Sequence, residues 1–157
     1  MRLTVGKGID NYISDLEKLN LAAEGQCKMA IYEGAGIIAK EIAARIKAMP
    51  IQDIPSDYVT GIKSIQRKGL EVSLGIASMR NDNGTINTKI GFDGYNRLIS
   101  KKYPQGQPNA MIARTFEGGN SFTKKIPFVA PAVRAKKEEA ERKMAEVIDQ
   151  TTAKIMK

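Results

Sequence analysis

Leu70-Glu-Val-Ser-Leu-Gly-Ile76, then Asn83-Gly84, then Thr85-Ile-Asn-Thr-Lys-Ile-Gly-Phe92 is the stretch on which the fold class turns. Both flanks alternate apolar and other residues with a period of two, the spacing of a half-buried strand. Asn83-Gly84 tolerates positive φ at both positions, as a two-residue hairpin turn requires. Ile86, Ile90 and Phe92 share one parity, so one face of the second strand is apolar. The expectation is an antiparallel hairpin lying against a helix.

Upstream the period changes to that of a helix. Ile9, Tyr12, Ile13, Leu16 and Leu19 recur at helical spacing and predict a short N-terminal helix. Asn20 is suited to cap a second, longer one, with Glu24 in its first turn. Cys27, Ile31, Ala35, Ile38, Ile42, Ile46 and Met49 form its apolar stripe, and Pro50 ends it. Gly34 and Gly36 each cost a helix interior roughly 1 kcal/mol relative to Ala, which close packing against a neighbour would explain.

Downstream, residues 50–58 and 93–108 read as loops, and Ala110–Phe116 as a short helix or an inner strand. In the last segment Pro131 stands at a first helical position, with Val129, Val133, Ala140, Met144, Val147, Thr151 and Ile155 on one face and Glu139 and Lys143 paired on the polar side. The fold class expected is α+β: two long helices and a short N-terminal helix packed on a small antiparallel sheet, in a single domain spanning residues 1–157.

Charge and composition limit the chemistry. The net charge of +8 suggests an acidic partner. It is uneven: residues 1–78 carry 10 Lys and Arg against 9 Asp and Glu, whereas residues 79–157 carry 15 against 8. With no His and a single Cys, the chain cannot assemble Ser–His–Asp or Cys–His nucleophile systems or the usual zinc ligand sets. There is no phosphate-binding glycine fingerprint either. The expectation is therefore no catalytic site, no metal and no cofactor. Cys27 lies on an apolar stripe and reads as core. One Cys fits a reducing cytoplasm, and neither a signal peptide nor a membrane span is expected from the hydropathy pattern.

Two lysine pairs, Lys101-Lys102 (followed by Tyr103) and Lys124-Lys125, lie in turn-rich loops. Lys is a flexible point charge suited to phosphate contact; a merely solvated loop explains the same residues, and both readings stay open. Lys136-Lys137 sits near the start of the last helix, where a cation opposes the helix dipole, a hint of an acidic partner. Ile126-Pro-Phe-Val-Ala-Pro131 reads as a stiff, extended lead-in that aims that helix, with Phe128 buried and Pro127 and Pro131 restricting the backbone.

Three places in this order of segments resemble the neck or tail-completion protein family of long-tailed phages, typified by gene product ten of phage Hong Kong ninety-seven. Gly8-Ile9-Asp10 through Leu16-Glu17-Lys18-Leu19, with the Ala-rich helix after it, is similar to the family's opening. Pro50, Asp53 and Thr60-Gly61-Ile62-Lys63-Ser64-Ile65 resemble its D-T-G-x-L-x-x-S-I motif. Ala113-Arg-Thr-Phe-Glu117-Gly118-Gly119 and Pro127-Phe-Val-Ala-Pro-Ala132 resemble its A-x-x-x-E-F-G-T segment and P-F-L-R-P-A box.

The resemblance implies a non-catalytic virion protein, assembled in the host bacterial cytoplasm. It implies a homo-oligomeric ring, commonly of six copies, between portal or connector and tail tube, with DNA passing through the lumen without sequence-specific contact. Lys101, Lys102, Tyr103, Phe116, Glu117, Lys124 and Lys125 are the candidate partner contacts, and Pro127, Phe128 and Pro131 the structural motif. The alternative is a small basic nucleic-acid-binding or regulatory protein, for which neither a recognition helix nor an aromatic stacking platform is evident.

Overall fold

The computed structural model describes residues 7–155. In chain order its elements are α1 (Lys7–Lys47), α2 (Ser64–Ser73), β1 (Leu74–Ile76), β2 (Arg80–Asp82), β3 (Thr85–Asn87), β4 (Ile90–Phe92), α3 (Asn109–Gly118) and α4 (Val129–Ile155). The fold is α+β, with helices packed on small antiparallel strand pairs.

The two helices expected in the first fifty residues are one. α1 runs unbroken for 41 residues, about 60 Å, straight through Asn20. Asn caps a helix only when the backbone leaves helical geometry before it; with no proline in the segment, a continued ladder costs only the modest helix penalty of an Asn. The side chains of Ile9, Tyr12, Ile13, Leu16 and Leu19, and the segment Leu3–Val5, lie outside the described residues. The stripe beyond them faces inward as expected: Ala35, Ile42, Ile46 and Met49 are buried, and Cys27, Ile31 and Ile38 are half-buried.

α4 packs along α1, and the seam is built from small side chains. Ala30 and Ala35 face Ala140 and Val147, all buried. A Cβ at Gly34 would stand 2.8 Å from Met144 Cγ and 3.4 Å from the Ala140 carbonyl, whereas a Cβ at Gly36 would touch nothing. Close packing thus explains the first glycine and not the second. Gly36→Ala is expected to raise stability by about 0.5–1 kcal/mol through helix propensity. Gly34→Val should lower it by roughly 2 kcal/mol through overpacking. Urea titrations of the two variants check the pair, and equal shifts would contradict this account of the seam. Phe128 just before α4 and Ala132, Ala140 and Val147 on it are buried, while Val133, expected on that face, is 36% exposed. Glu139 pairs with Lys136 at 2.8 Å rather than with Lys143, which turns to Glu146.

The hairpin forms around Asn83-Gly84, with φ of 54° and 89°. Leu74 pairs with Phe92 and Ile76 with Ile90, but beyond them Arg80 pairs with Asn87. Ala77, Ser78 and Met79 therefore face only Thr88 and Lys89, a one-residue bulge that splits one ribbon into two strand pairs. The Ala77 N–H donates to the Lys89 carbonyl at 2.8 Å, and Thr88 Oγ1 donates to the Ala77 carbonyl at 2.6 Å. Because the extra residue is on the first strand, Ile86, Ile90 and Phe92 keep their shared parity.

Residues 70–73 are helical, not the start of a strand. They form the last turn of α2, with Leu70 fully buried and Val72 80% exposed. Alternation over four residues is also compatible with one apolar position in a helix turn, and the capping of α2 described below decides between them. Ala110–Phe116 is likewise helical, within α3. The main core gathers where the C-terminal end of α1 meets α2, α3 and the start of α4: Ile42, Ile46, Met49, Ile62, Leu70, Ile112, Phe116 and Phe128, with Leu74, Ile90 and Phe92 against them.

Candidate functional site

The chain's two most distinctive segments meet at the start of α4. Glu117, near the end of α3, accepts hydrogen bonds from the N–H groups of Phe128 (2.7 Å), Val129 (2.9 Å) and Ala130 (2.9 Å). Helix N-termini leave donors without partners; here three go to one carboxylate, and Pro131, in the same turn, has none to satisfy. Burial alone would push the Glu117 carboxyl up, but those three bonds and the nearby Lys125 charge outweigh it and hold its pKa below the ordinary glutamate value. Pro131 is the third residue of α4 rather than its first, Pro127 is exposed in the lead-in, and Phe128 is buried as expected.

This placement corrects two candidate contacts. Phe116, at 3% exposure, belongs to the core and is not presented to a partner. Glu117 spends its carboxylate on the neck of α4. Both were singled out by their place in the resembling segment, and α3 runs on to Gly118 and carries them inward.

A second junction closes the 50–63 loop. Asp53 accepts from the Ser64 N–H (2.8 Å) and Ser64 Oγ (2.9 Å), and the Gln66 side chain accepts from the Lys63 N–H (3.2 Å), which together cap α2. The Ser64 backbone bond is the main reason Asp53 ionises below the ordinary aspartate range. Gln52 Oε1 gathers the N–H groups of Thr60 and Gly61. A Cβ at Gly61 would stand 2.5 Å from the Pro50 carbonyl, so this approach admits only glycine.

Residues 118–126 are laced onto that loop: the Val59 N–H donates to the Phe122 carbonyl and the Lys124 N–H to the Val59 carbonyl. The result is an exposed surface of Ile54 (81%), Tyr58 and Phe122 (72%), beside exposed Lys124 and Lys125. Residues 96–107 form a second, closed loop, its base tied by the Asn96 N–H to the Gln107 carbonyl. Lys101 and Lys102 stand exposed on it, and the Lys102 ammonium lies 5.6 Å from the Tyr103 ring centroid. The lysine pairs are thus on two separate loops that also carry exposed apolar residues.

Between α2 and residues 93–97 lies a groove of about 610 Å3 that sequence reasoning missed. Ile65, Val72 and Tyr95 give it apolar walls, with Lys68 and Arg97 along it. At its floor are two buried amides, Asn96 and Asn109. Asn109 Nδ2 donates to the Asp93 carbonyl and Asn96 Nδ2 to the Ile65 carbonyl, which fixes the orientation of both groups. Asn109 Oδ1 is then left buried without a hydrogen-bond partner among the described residues. Gly69 leaves room for both amides, since a Cβ there would collide with Asn96 Nδ2 and stand 2.9 Å from Asn109 Oδ1. The only signal in the sequence is an Asn in each of two turn-rich stretches, which turn formation already explains.

Lys136 and Lys137 have partners within α4, Glu139 at 2.8 Å and Glu141 at 4.0 Å, so they no longer hint at an outside acidic group. Among the described residues no group of three or more His, Cys, Asp or Glu could hold a metal ion, and no helix is long and apolar enough to cross a membrane. No protein-family model matches the chain, and no curated protein or solved structure is a significant match to it.

Proposed function

We propose that the chain is a non-catalytic structural subunit of a tailed-phage virion, forming a ring at the head–tail connection or the tail end around the DNA path. The observation that carries this reading is the bond set from Glu117 to residues 128–130. It joins two segments that resemble consecutive motifs of the neck and tail-completion family, and gives each a mechanical reason to be there. The Asp53–Ser64 cap does the same for the third resembling segment. In this reading the motifs set the angle at which α4 leaves the core, and the function resides in surfaces rather than in a reactive group. The surfaces are the two loops bearing Lys101-Lys102 and Lys124-Lys125, and the partners are further copies, the portal or connector, and the tail tube.

Six copies would bring a charge of +48, six times +8. A lumen that held phosphates through many simultaneous contacts would resist DNA sliding. The lysines therefore divide between subunit interfaces or the exterior and a few lumenal positions. Lys124→Glu, which keeps the Lys125 charge beside Glu117, is expected to leave assembly intact and to impair DNA retention or ejection, read as lost infectivity; full infectivity would remove that residue from the channel.

The function itself is tested by light scattering and electron microscopy of the purified chain mixed with portal and tail-tube proteins. Rings or ring-bearing complexes are expected. Persistent monomer with both partners present would sink the reading, and a salt-dependent mobility shift on free DNA by that monomer would transfer it to a nucleic-acid-binding protein.

A further inference from the structure

The tip of the hairpin holds a chemically labile pair under a restraint supplied by the fold. Asparagine followed by glycine is prone to deamidation, because no side chain shields the glycine nitrogen from the asparagine amide carbon. Asn83-Gly84 is the one such pair in the chain. Both residues and their neighbours Asp82 and Thr85 are exposed, so water has free access. Positive φ at both positions, 54° and 89°, makes them the two-residue turn that joins β2 to β3.

The atom that must attack is the Gly84 nitrogen, and its hydrogen is already committed. It is donated to Asn81 Oδ1 at 2.9 Å. The other end of the Asn81 amide reaches α1. Lys28, by hydrogen bond and charge, is the main reason that Glu24 ionises below the ordinary glutamate range, and Asn81 adds a smaller hydrogen bond to the same carboxylate. A carboxylate only accepts, so the Asn81 nitrogen faces Glu24 and its oxygen faces Gly84. Asn81 therefore ties the turn to α1 with one end and occupies the Gly84 N–H with the other. Beside the turn, Asn87 Nδ2 donates to Asp82 Oδ2 at 2.8 Å, a side-chain bond that joins the two strands.

We propose that Asn83 is a site of spontaneous deamidation, and that Asn81 is the positioning residue that sets its rate. The Gly84 nitrogen gives up its proton and bonds to Asn83 Cγ, and ammonia leaves, closing a succinimide. Water then adds to either imide carbonyl and breaks its bond to nitrogen, leaving aspartate or isoaspartate; no oxidant or reductant takes part. Asn81 holds the proton that has to leave, so the reaction waits on the opening of that hydrogen bond. Isoaspartate routes the main chain through the side-chain carbon and makes it one methylene longer, which a two-residue turn does not accommodate. The tip then lets go of α1 at Glu24.

The test is to age the full chain at neutral pH, native and in urea, and to follow residue 83 by peptide mapping that separates asparagine, aspartate and isoaspartate. Conversion is expected to be slower in the native chain than in urea. Asn81→Ala should speed it in the native chain roughly fivefold, the worth of one neutral hydrogen bond, and leave the rate in urea unchanged. Thr88→Val removes the 2.6 Å bond to the Ala77 carbonyl and so loosens the same ribbon away from the turn; it should leave the native rate as it is. Equal acceleration by both variants would make Asn81 a general support of the hairpin and overturn its positioning role, as would equal rates for the native chain and Asn81→Ala. No conversion at residue 83 even in urea would overturn the site itself. In the isoaspartate fraction hydrogen exchange should quicken in β2 and β3, and native exchange there would overturn the release of the tip.

Discussion

Replacing Phe128 with alanine is expected to cost about 3–5 kcal/mol of folding stability, the range for removing a fully buried aromatic side chain. The residue is 1% exposed and lies in the main core, among side chains from the end of α1, from α3 and from β4. Its ring meets Phe92 edge-on, with centroids 6.0 Å apart and planes at 68°, a geometry that adds about 1 kcal/mol beyond area burial. A cavity there has little means of collapse, because the backbone on either side is fixed: Phe128 N–H is bonded to Glu117, and Pro127 restricts the approach. Phe128→Leu, which keeps most of the volume, should cost less than half as much. Urea denaturation followed by circular dichroism measures both. The site links the root of the hairpin to the start of α4, so hydrogen exchange should quicken at both places in Phe128→Ala. Exchange that quickens in α4 alone would mean that Phe92 repacks without its partner and that the two elements are less coupled than the ring contact implies.

What the sequence made legible follows the length scale of each signal. Asn83-Gly84 located the hairpin because its requirement, positive φ at two adjacent residues, is met by local chemistry alone. The α1 stripe from Ala35 to Met49 was legible because a repeat sustained over four turns outweighs any single exception. The bulge opposite Thr88-Lys89 was not, since one extra residue on the first strand leaves the parity of the second unchanged. α2 was hidden for a related reason: its identity is set by Asp53, eleven residues upstream of Ser64, which no periodicity window joins to it. Asn20 misled in the opposite direction, because a good capping residue marks a helix start only where the chain also turns.

The candidate site divides along the same line. Solvent-facing lysines were found by type, and they are exposed where loops were expected. Phe116 and Glu117 were found by motif but given the wrong role, because a motif records that a residue matters without saying whether it faces a partner or the core. The groove was not found at all. Its walls come from residues 65–73, 93–97 and 109, and its distinguishing mark, an unsatisfied amide oxygen, exists only once Asp93 and Ile65 have taken the neighbouring donors.

Glu117→Ala is expected to cost about 2–3 kcal/mol, more than an ordinary helix cap, because three backbone donors lose one acceptor together. The N–H of Ala130 is at the surface and water can replace its bond, but those of Phe128 and Val129 are partly shielded and carry most of the loss. Glu117→Gln keeps an acceptor oxygen and loses the charge that the helix N-terminus favours, so it should fall between alanine and the native residue. The two variants separate geometry from charge, and pH separates them again. In the folded chain the carboxyl ionises below its ordinary value of 4.5, so its contribution is fully present above that pH and is lost as pH falls through the folded value. The stability gap between the native chain and Glu117→Gln should therefore be wide at pH 7 and narrow toward pH 3, measured by urea titration at each pH. A gap independent of pH would mean that the carboxylate's charge contributes nothing and that the cap is held by shape. If the chain assembles as proposed and the angle of α4 is what the motif protects, then Glu117→Ala at a permissive temperature should also lose assembly before it loses secondary structure, because the α1–α4 seam from Ala30 to Val147 can persist while its aim relative to the core drifts.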